Sequence, residues 1–397
     1  MSWTRTTSST LLAKHAGTAR FAWNWGLARR KEALECGERV PNAIEQNRDW
    51  NRWKHDNAPW AREVSKCAPQ ESLRNLDQAF ANFWRARKEG RAVGFPKFKK
   101  KGRHDSFRLT GSIRVAARAV ALPRLGAMRT KERTDVKGRI LSATVSREAD
   151  RWYVALTVER ERPEPRPVQG PAVGVDLGLS CFAVLSDGTI EKAPKPFEAL
   201  LKNLKRRSRR HARKLKGSSN RRKSALRLAR LHRRIRNIRK DFLHKLTTRL
   251  AKTKSAIVVE DLCVRGMVRN RHLSRSISDA GWAEFRRMLE YKTRWYGSTL
   301  VVAPRAYLST RRCSVCGQVG PRVPLDVRVF HCSACAFECD RDLNAAKNLE
   351  ALNTASSAGI YARGDSSVGG TVGDYRSTRY GSLRRESDAI VSIGING

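Results

Sequence analysis

The sequence predicts a multidomain α/β protein, and three observations carry that prediction. Two short apolar runs, Ala172-Val173-Gly174-Val175-Asp176-Leu177-Gly178 and Ala256-Ile257-Val258-Val259-Glu260, each end in a carboxylate, the pattern of a buried strand delivering an acid to its open end. From about Ser106 to Glu159 the apolar residues recur with period two, as in an antiparallel sheet or small barrel. Elsewhere they recur at spacings of three and four, as on one face of a helix.

In chain order, residues 1 to about 16 are polar, rich in Ser and Thr, and predict no clear element. A helical pattern begins at Thr18, with Phe21, Trp25 and Ala28 on one face, and a second follows Pro69 with Leu73, Leu76, Phe80 and Phe83. Trp50, Trp53 and Trp60 lie between them, and packing in a small helical bundle explains most of these rings better than stacking on bases does. Gly94-Phe95-Pro96-Lys97-Phe98-Lys99-Lys100-Lys101 then interleaves rings with lysines, a candidate phosphate-tracking loop. Strands are expected around Ile113 and Val115, over 140–145 and over 152–158. Pro163, Pro165, Pro167 and Pro171 mark the clearest domain boundary.

Beyond the Asp176 strand, Phe182-Ala183-Val184-Leu185 continues as a second strand, with Asp187-Gly188 as a hairpin turn. Lys202 to Lys240 holds 19 Lys and Arg and no acid, broken only at Lys216-Gly217-Ser218-Ser219-Asn220, so two helices and a turn are expected. The second helix keeps an apolar stripe of Leu228, Leu231, Ile235, Ile238 and Phe242, which a disordered basic tail would lack. A helix from about Ala280 buries Trp282, Phe285, Leu289 and Tyr296, and Leu300-Val301-Val302-Ala303 reads as a strand. From Ser356 onward Gly, Ser and Arg dominate, which predicts a flexible tail.

Charge narrows the function. Over 397 residues, 81 Lys and Arg stand against 37 Asp and Glu, a formal charge of +44. Such a chain repels itself unless a polyanion neutralises it, which points to nucleic acid. The charge is spread along the chain rather than gathered in one amphipathic segment, and no apolar run reaches the ~18 residues of a membrane span, so a membrane partner is not expected. Nine cysteines, four in paired C-x-x-C spacing, indicate a reducing cytosol and a metal rather than disulfides. Cys313, Cys316, Cys332 and Cys335 form C-x2-C-x15-C-x2-C, and four thiolates suit one structural tetrahedral zinc ion. Asp342, at the start of a helix beyond them, joins Asp176 and Glu260 as a third acid. Three carboxylates drawn from distant positions are what two catalytic magnesium ions require.

Taken together, GVDLG (174–178), IVVED (257–261), STRRCSVCG (309–317), CSAC (332–335) and DRDLNAAKN (340–348) resemble the transposon-encoded TnpB nucleases and their relatives, the compact type V CRISPR effectors. The segments GFPKFKKKGRHDSFRLTG (94–111) and DAGWAEFRRMLEYKTRWYG (279–297) resemble them too. The resemblance implies a ribonuclease-H-like (RuvC) nuclease domain over 166–308 and 340–353, with a zinc-ribbon insertion at 309–339. It also implies a β-barrel wedge over 1–17 and 94–165 interrupted by a helical recognition module at 18–93, and leaves 354–397 as the flexible tail. On this resemblance Asp176, Glu260 and Asp342 are catalytic and Mg-binding, Cys313, Cys316, Cys332 and Cys335 bind Zn, and Asp261 and Asp340 are neighbours of the site without being its acids. Nucleic-acid contacts are expected at Lys97, Lys99, Lys100, Arg206, Arg209, Arg210, Arg213, Arg227, Arg230 and Arg234. Family members usually open with a Lys-, Tyr- and Pro-rich strand, and the residues before Thr18 do not carry that pattern. The implied activity is RNA-guided cleavage of DNA by a cytoplasmic, nucleoid-associated monomer. Its partners would be a guide RNA, a double-stranded target and the displaced single strand. A repressor with a silent nuclease would be expected to lack one of the acids, whereas a guide-independent nuclease would keep all three. A tyrosine transposase would need an H-x-H metal motif, and the sequence has none.

Overall fold

The computed structural model of the chain describes residues 5–161, 163–321, 324, 326–357 and 389–395. The fold is mixed α/β, and it divides into two compact units, Met1–Arg162 with Arg379–Gly397, and Pro163–Thr378.

The first unit opens with helix α1 (Arg5–Glu35), so the stretch ahead of Thr18 is helical where the sequence predicted no element. The expected wedge segment at 1–17 is therefore helix over its described residues. Leu12, His15, Ala16 and Ala19 recur at helical spacing and are buried in the strand core, a stripe too rich in small residues to stand out by hydropathy. The unpredicted helix α2 (Ala43–Asn57) carries Trp50 and Trp53, and its N-terminal signal is legible in retrospect. Asn42 and Glu45 form a reciprocal capping box. Helix α3 (Cys67–Lys88) buries Leu73, Leu76, Phe80 and Phe83, as its spacing predicts. Phe21, Trp25, Trp50 and Trp53 pack ring against ring, while Phe21 and Trp60 keep about two-fifths of their surface exposed.

Strands β1 (Ser106–Thr110), β2 (Arg114–Ala116), β3 (Ala119–Leu122), β4 (Gly126–Arg129), β5 (Arg139–Glu148) and β6 (Arg151–Glu159) follow. They form sheets ordered β2-β3-β4 and β1-β5-β6, and Phe107, Val120, Met128, Val145, Val154 and Leu156 from both share one apolar core. The outer edge of β6 is not open. A strand at Ala389–Ile395 pairs with it antiparallel, Ala389 opposite Val158 and Ile395 opposite Trp152. This corrects the expectation of a flexible tail for those seven residues, and residues 354–357 close a helix. The rest of the tail lies outside the described residues. The glycines and arginines upstream obscure Ala-Ile-Val-Ser-Ile-Gly-Ile, whose β-branched residues suit an edge strand beside β6.

The second unit is built on a five-stranded sheet. Strands β7 (Val173–Leu177), β8 (Ala183–Leu185), β9 (Ile190–Glu191), β10 (Ala256–Glu260) and β11 (Thr299–Ala303) stand in the order β11-β10-β7-β8-β9. The pairs β7–β10 and β10–β11 are parallel, and β7–β8 and β8–β9 antiparallel. Between β9 and β10 lie helices α4 (Pro196–Ala199), α5 (Leu201–Ala212) and α6 (Ser219–Thr253); the last two are the basic hairpin read from the sequence. Ser218 caps α6 by accepting the Arg221 N–H, and Leu204, Leu231 and Ile235 zip α5 to α6. Helices α7 (Val264–Met267), α8 (Ser274–Ala280) and α9 (Trp282–Tyr296) follow β10. Strands β12 (Val329–His331) and β13 (Glu338–Asp340) belong to the cysteine-rich segment, and α10 (Arg341–Ser357) follows them. One face of the sheet packs Val173, Val175, Ile257 and Val259 against α6 and α9. The other face packs Val258 and Ala303 against Leu349 and Leu352 of α10. Among the described residues no helix is long and apolar enough to cross a membrane.

Candidate active site

Asp176 stands near the end of β7, Glu260 ends β10 and Asp342 lies in the first turn of α10, and a glycine sets the spacing between β7 and α10. Side chains alternate along a strand, so with Val173 and Val175 in the core toward α6 and α9, Gly174 and Asp176 share the face toward α10. A Cβ on Gly174 would stand 1.9 Å from the Ala346 carbonyl oxygen, so the helix backbone lies directly against the strand. Asp342 is one helical turn before Ala346 and Asp176 is two strand residues beyond Gly174, which brings the two carboxylates to one end of that contact. The parallel β7–β10 register sets Val258 opposite Gly174 and Val259 opposite Val175. Glu260 lies one residue beyond Val259, on the same face as Val258.

Both other acids act on the charge of Asp176. Asp176 is only 8% exposed, and burial, with Glu260 and Asp342 nearby, pushes its carboxyl well above the ordinary range. Arg341 partly offsets this. Asp342 lies 3.6 Å from guanidinium nitrogens of both Arg341 and Arg328, in the first turn of α10, where the helix dipole favours an anion. Glu260 Oε1 accepts a hydrogen bond of 2.6 Å from Ser309 Oγ.

The neighbouring acids do other work. Asp340 caps α10 by accepting the Leu343 N–H at 2.9 Å. Asp261 pairs with Arg286 and, at 2.7 Å, with Arg305, and the Arg286 hydrogen bond leads in holding its carboxyl below the ordinary range. Nothing in the sequence indicated which acids Ser309, Arg286 and Arg305 would meet, because such partners come from distant parts of the chain and carry no periodic signal.

Cys313, Cys316, Cys332 and Cys335 bring their sulfurs within 4.8 Å of one another, close enough to hold one metal ion. The N–H groups of Cys335 and Ala334 point at Cys332 and draw its thiol down to about 6. Two of the expected contact groups differ in setting. Arg206, Arg209, Arg210, Arg213, Arg227, Arg230 and Arg234 lie along the α5–α6 hairpin, all exposed. Lys97, Lys99 and Lys100 are exposed in a loop fastened to α1. There Asn24 bonds the Lys99 N–H and C=O, the Trp23 indole donates to the Lys97 carbonyl, and the Lys99 ammonium sits 3.8 Å from the Trp23 ring centre.

Comparison with known proteins gives a consistent grouping. A family model for IS605 OrfB, described as "Probable transposase", matches residues 155–271. A Cas12f1-like TNB domain model matches 282–349, and a helix-turn-helix model matches 7–39, a range in which α1 continues unbroken to Glu35. "Putative RNA-guided DNA endonuclease InsQ" of Escherichia coli is 34% identical over 364 residues, covering 87% of this chain and 89% of that protein. A Streptomyces pristinaespiralis protein named "Putative RNA-guided DNA endonuclease" is 36% identical over 357 residues, covering 87% and 86%. The solved Cas12f1–sgRNA–target DNA complex contains a chain of similar fold, with a TM-score of 0.51 at 16% identity, covering 88% of this chain and 83% of that one.

Proposed function

The chain belongs to the TnpB family, and from that membership and its three strand-end and helix-start acids we propose that it is an RNA-guided DNA endonuclease. The observation that carries the proposal is the buried carboxyl of Asp176 near the end of β7, on whose charge both Glu260 and Asp342 act. In this reading the second unit is a RuvC-like nuclease domain whose cysteine-rich segment is a zinc ribbon. The strands of the first unit form the wedge barrel, and α1 to α3 the recognition module. The basic α5–α6 hairpin and the 97–101 loop track the backbones of guide and target, while base pairing reads the sequence beside a short flanking motif. The protein would act in the cytoplasm, associated with the nucleoid.

The donor sets fit the ions the reading requires. A buried carboxylate whose proton is retained through burial and two neighbouring acids gains from a hard divalent cation, and Asp176, Glu260 and Asp342 would hold magnesium. When bound, that metal supplies an activated water and stabilises the leaving 3′ oxygen. The protein's own part is to keep Asp176 shielded from bulk water and to hold Asp342 at a helix N-terminus. In the thiolate cluster, Cys313 and Cys335 sulfurs are 3.7 Å apart and those of Cys316 and Cys332 3.5 Å. Four Zn–S bonds of ~2.3 Å in a tetrahedron require about 3.8 Å, so a structural zinc fits.

The test is Asp176→Ala on the protein purified with its RNA. Cleavage of a matching duplex should fall at least ~1000-fold, a loss of more than about 4 kcal/mol of transition-state stabilisation, with guided binding retained. Undiminished cleavage would remove the site assignment. Cleavage that persists after the RNA is stripped would favour a guide-independent nuclease, and guided binding without cleavage by the unaltered protein would favour a repressor.

A further inference from the structure

Glu260 differs from the other two acids in having a longer side chain at the open end of a strand, with an additional freely rotating bond to fix. Ser309 supplies the constraint. It is 3% exposed, lies between β11 and the first cysteine pair, and donates to Glu260 Oε1 at 2.6 Å. The bond engages one carboxylate oxygen and leaves Oε2 for a cation.

Ser309 is itself held from behind. Its carbonyl accepts Asn348 Nδ2 at 2.8 Å, and the same amide reaches the Arg312 carbonyl at 2.6 Å. Asn344, one turn earlier on α10, donates to the Arg312 carbonyl at 2.7 Å and accepts the Ser314 N–H at 2.9 Å. Asn344 and Asn348 are both buried, and the Tyr307 hydroxyl donates to the Asn348 carbonyl at 2.8 Å. The loop that carries Ser309 into the Cys313 turn is thus bolted to the helix that carries Asp342.

We propose that Ser309 is a positioning residue for Glu260, orienting its carboxylate for metal through a loop that Asn344 and Asn348 fasten to α10. The inference rests on the functional reading above and deepens it. Hydroxyl and amide partners that orient a metal-binding side chain are typically worth roughly 10–100-fold in metal affinity.

The test measures Mn2+ binding by electron paramagnetic resonance on the full chain with its guide RNA, taking the Asp176→Ala complex as the background for ions held by nucleic acid. Ser309→Ala should weaken the difference isotherm by roughly 10–100-fold. Zinc content and melting temperature should stay at their wild-type values, and Ser309→Thr should restore most of the binding. An unchanged isotherm for Ser309→Ala would overturn the proposal. So would a loss that threonine fails to rescue, since the hydroxyl would then not be the cause. If the wild-type protein itself shows no Mn2+ above the Asp176→Ala background, the metal-site reading fails and this inference falls with it.

Discussion

Single residues decide whether the acids can act together. Gly174 is there because the α10 backbone occupies the space a side chain would need, and Gly174→Ala must push strand and helix apart. We expect it to cost about 3 kcal/mol of stability, near the upper end of overpacking effects, and to reduce cleavage beyond that loss, as measured by chemical denaturation and by turnover of the folded fraction. Asp176 gives a pH signature. An unfolded Asp loses its proton near pH ~3.9, whereas the buried Asp176 keeps it to higher pH. Between those values the native state binds more protons than the unfolded state, so the stability of the metal-free protein falls as pH rises. Asp176→Asn should therefore melt above wild type in chelator at about pH 8, with the gap closing toward about pH 4. Equal melting at both pH values would count against the burial argument. Asp176, Glu260 and Asp342 were legible as candidates because strand-end acids and a helix-start acid have local context. Ser309, Arg286 and Arg328 were not, since each is defined by a partner far away in sequence.

Elements were recovered where their periodicity was strong and missed where it was weak. The two basic helices were readable because an apolar stripe persists through the arginines and Lys216-Gly217-Ser218-Ser219-Asn220 interrupts the charge run. Helix α2 was missed although Asn42 and Glu45 announce it, and the first turns of α1 were missed because Ala and Ser dilute the pattern. The Ala389–Ile395 strand is the largest departure. Its pairing with β6 gives that sheet its last partner, so a chain ending at residue 388 should leave the β6 edge exposed. We expect the truncated protein to melt several degrees lower and to self-associate, as judged by thermal unfolding and light scattering. If it melts and elutes like the full chain, the strand contributes nothing to the unit.

At the scale of the whole molecule, charge governs association. The exposed arginines of the α5–α6 hairpin should each release counterions when they meet a phosphate. Replacing Arg206, Arg209 and Arg210 with Gln should weaken guide RNA binding and lower the slope of log affinity against log salt by about one unit for each phosphate left without its arginine, measured by titration at several salt concentrations. An unchanged slope would place the nucleic acid elsewhere. The sequence by itself determined the mixed α/β class and the paired cysteine spacing, and it nominated the polyanionic partner and the three acids. Each of these is a matter of composition, spacing or local alternation, which neighbouring residues suffice to express. Only the tertiary structure decided that Gly174 lets α10 lie on β7, that Ser309 reaches Glu260, and that the last strand belongs to the first unit. Such juxtapositions depend on which distant backbones come within a few ångströms, and no local pattern records it.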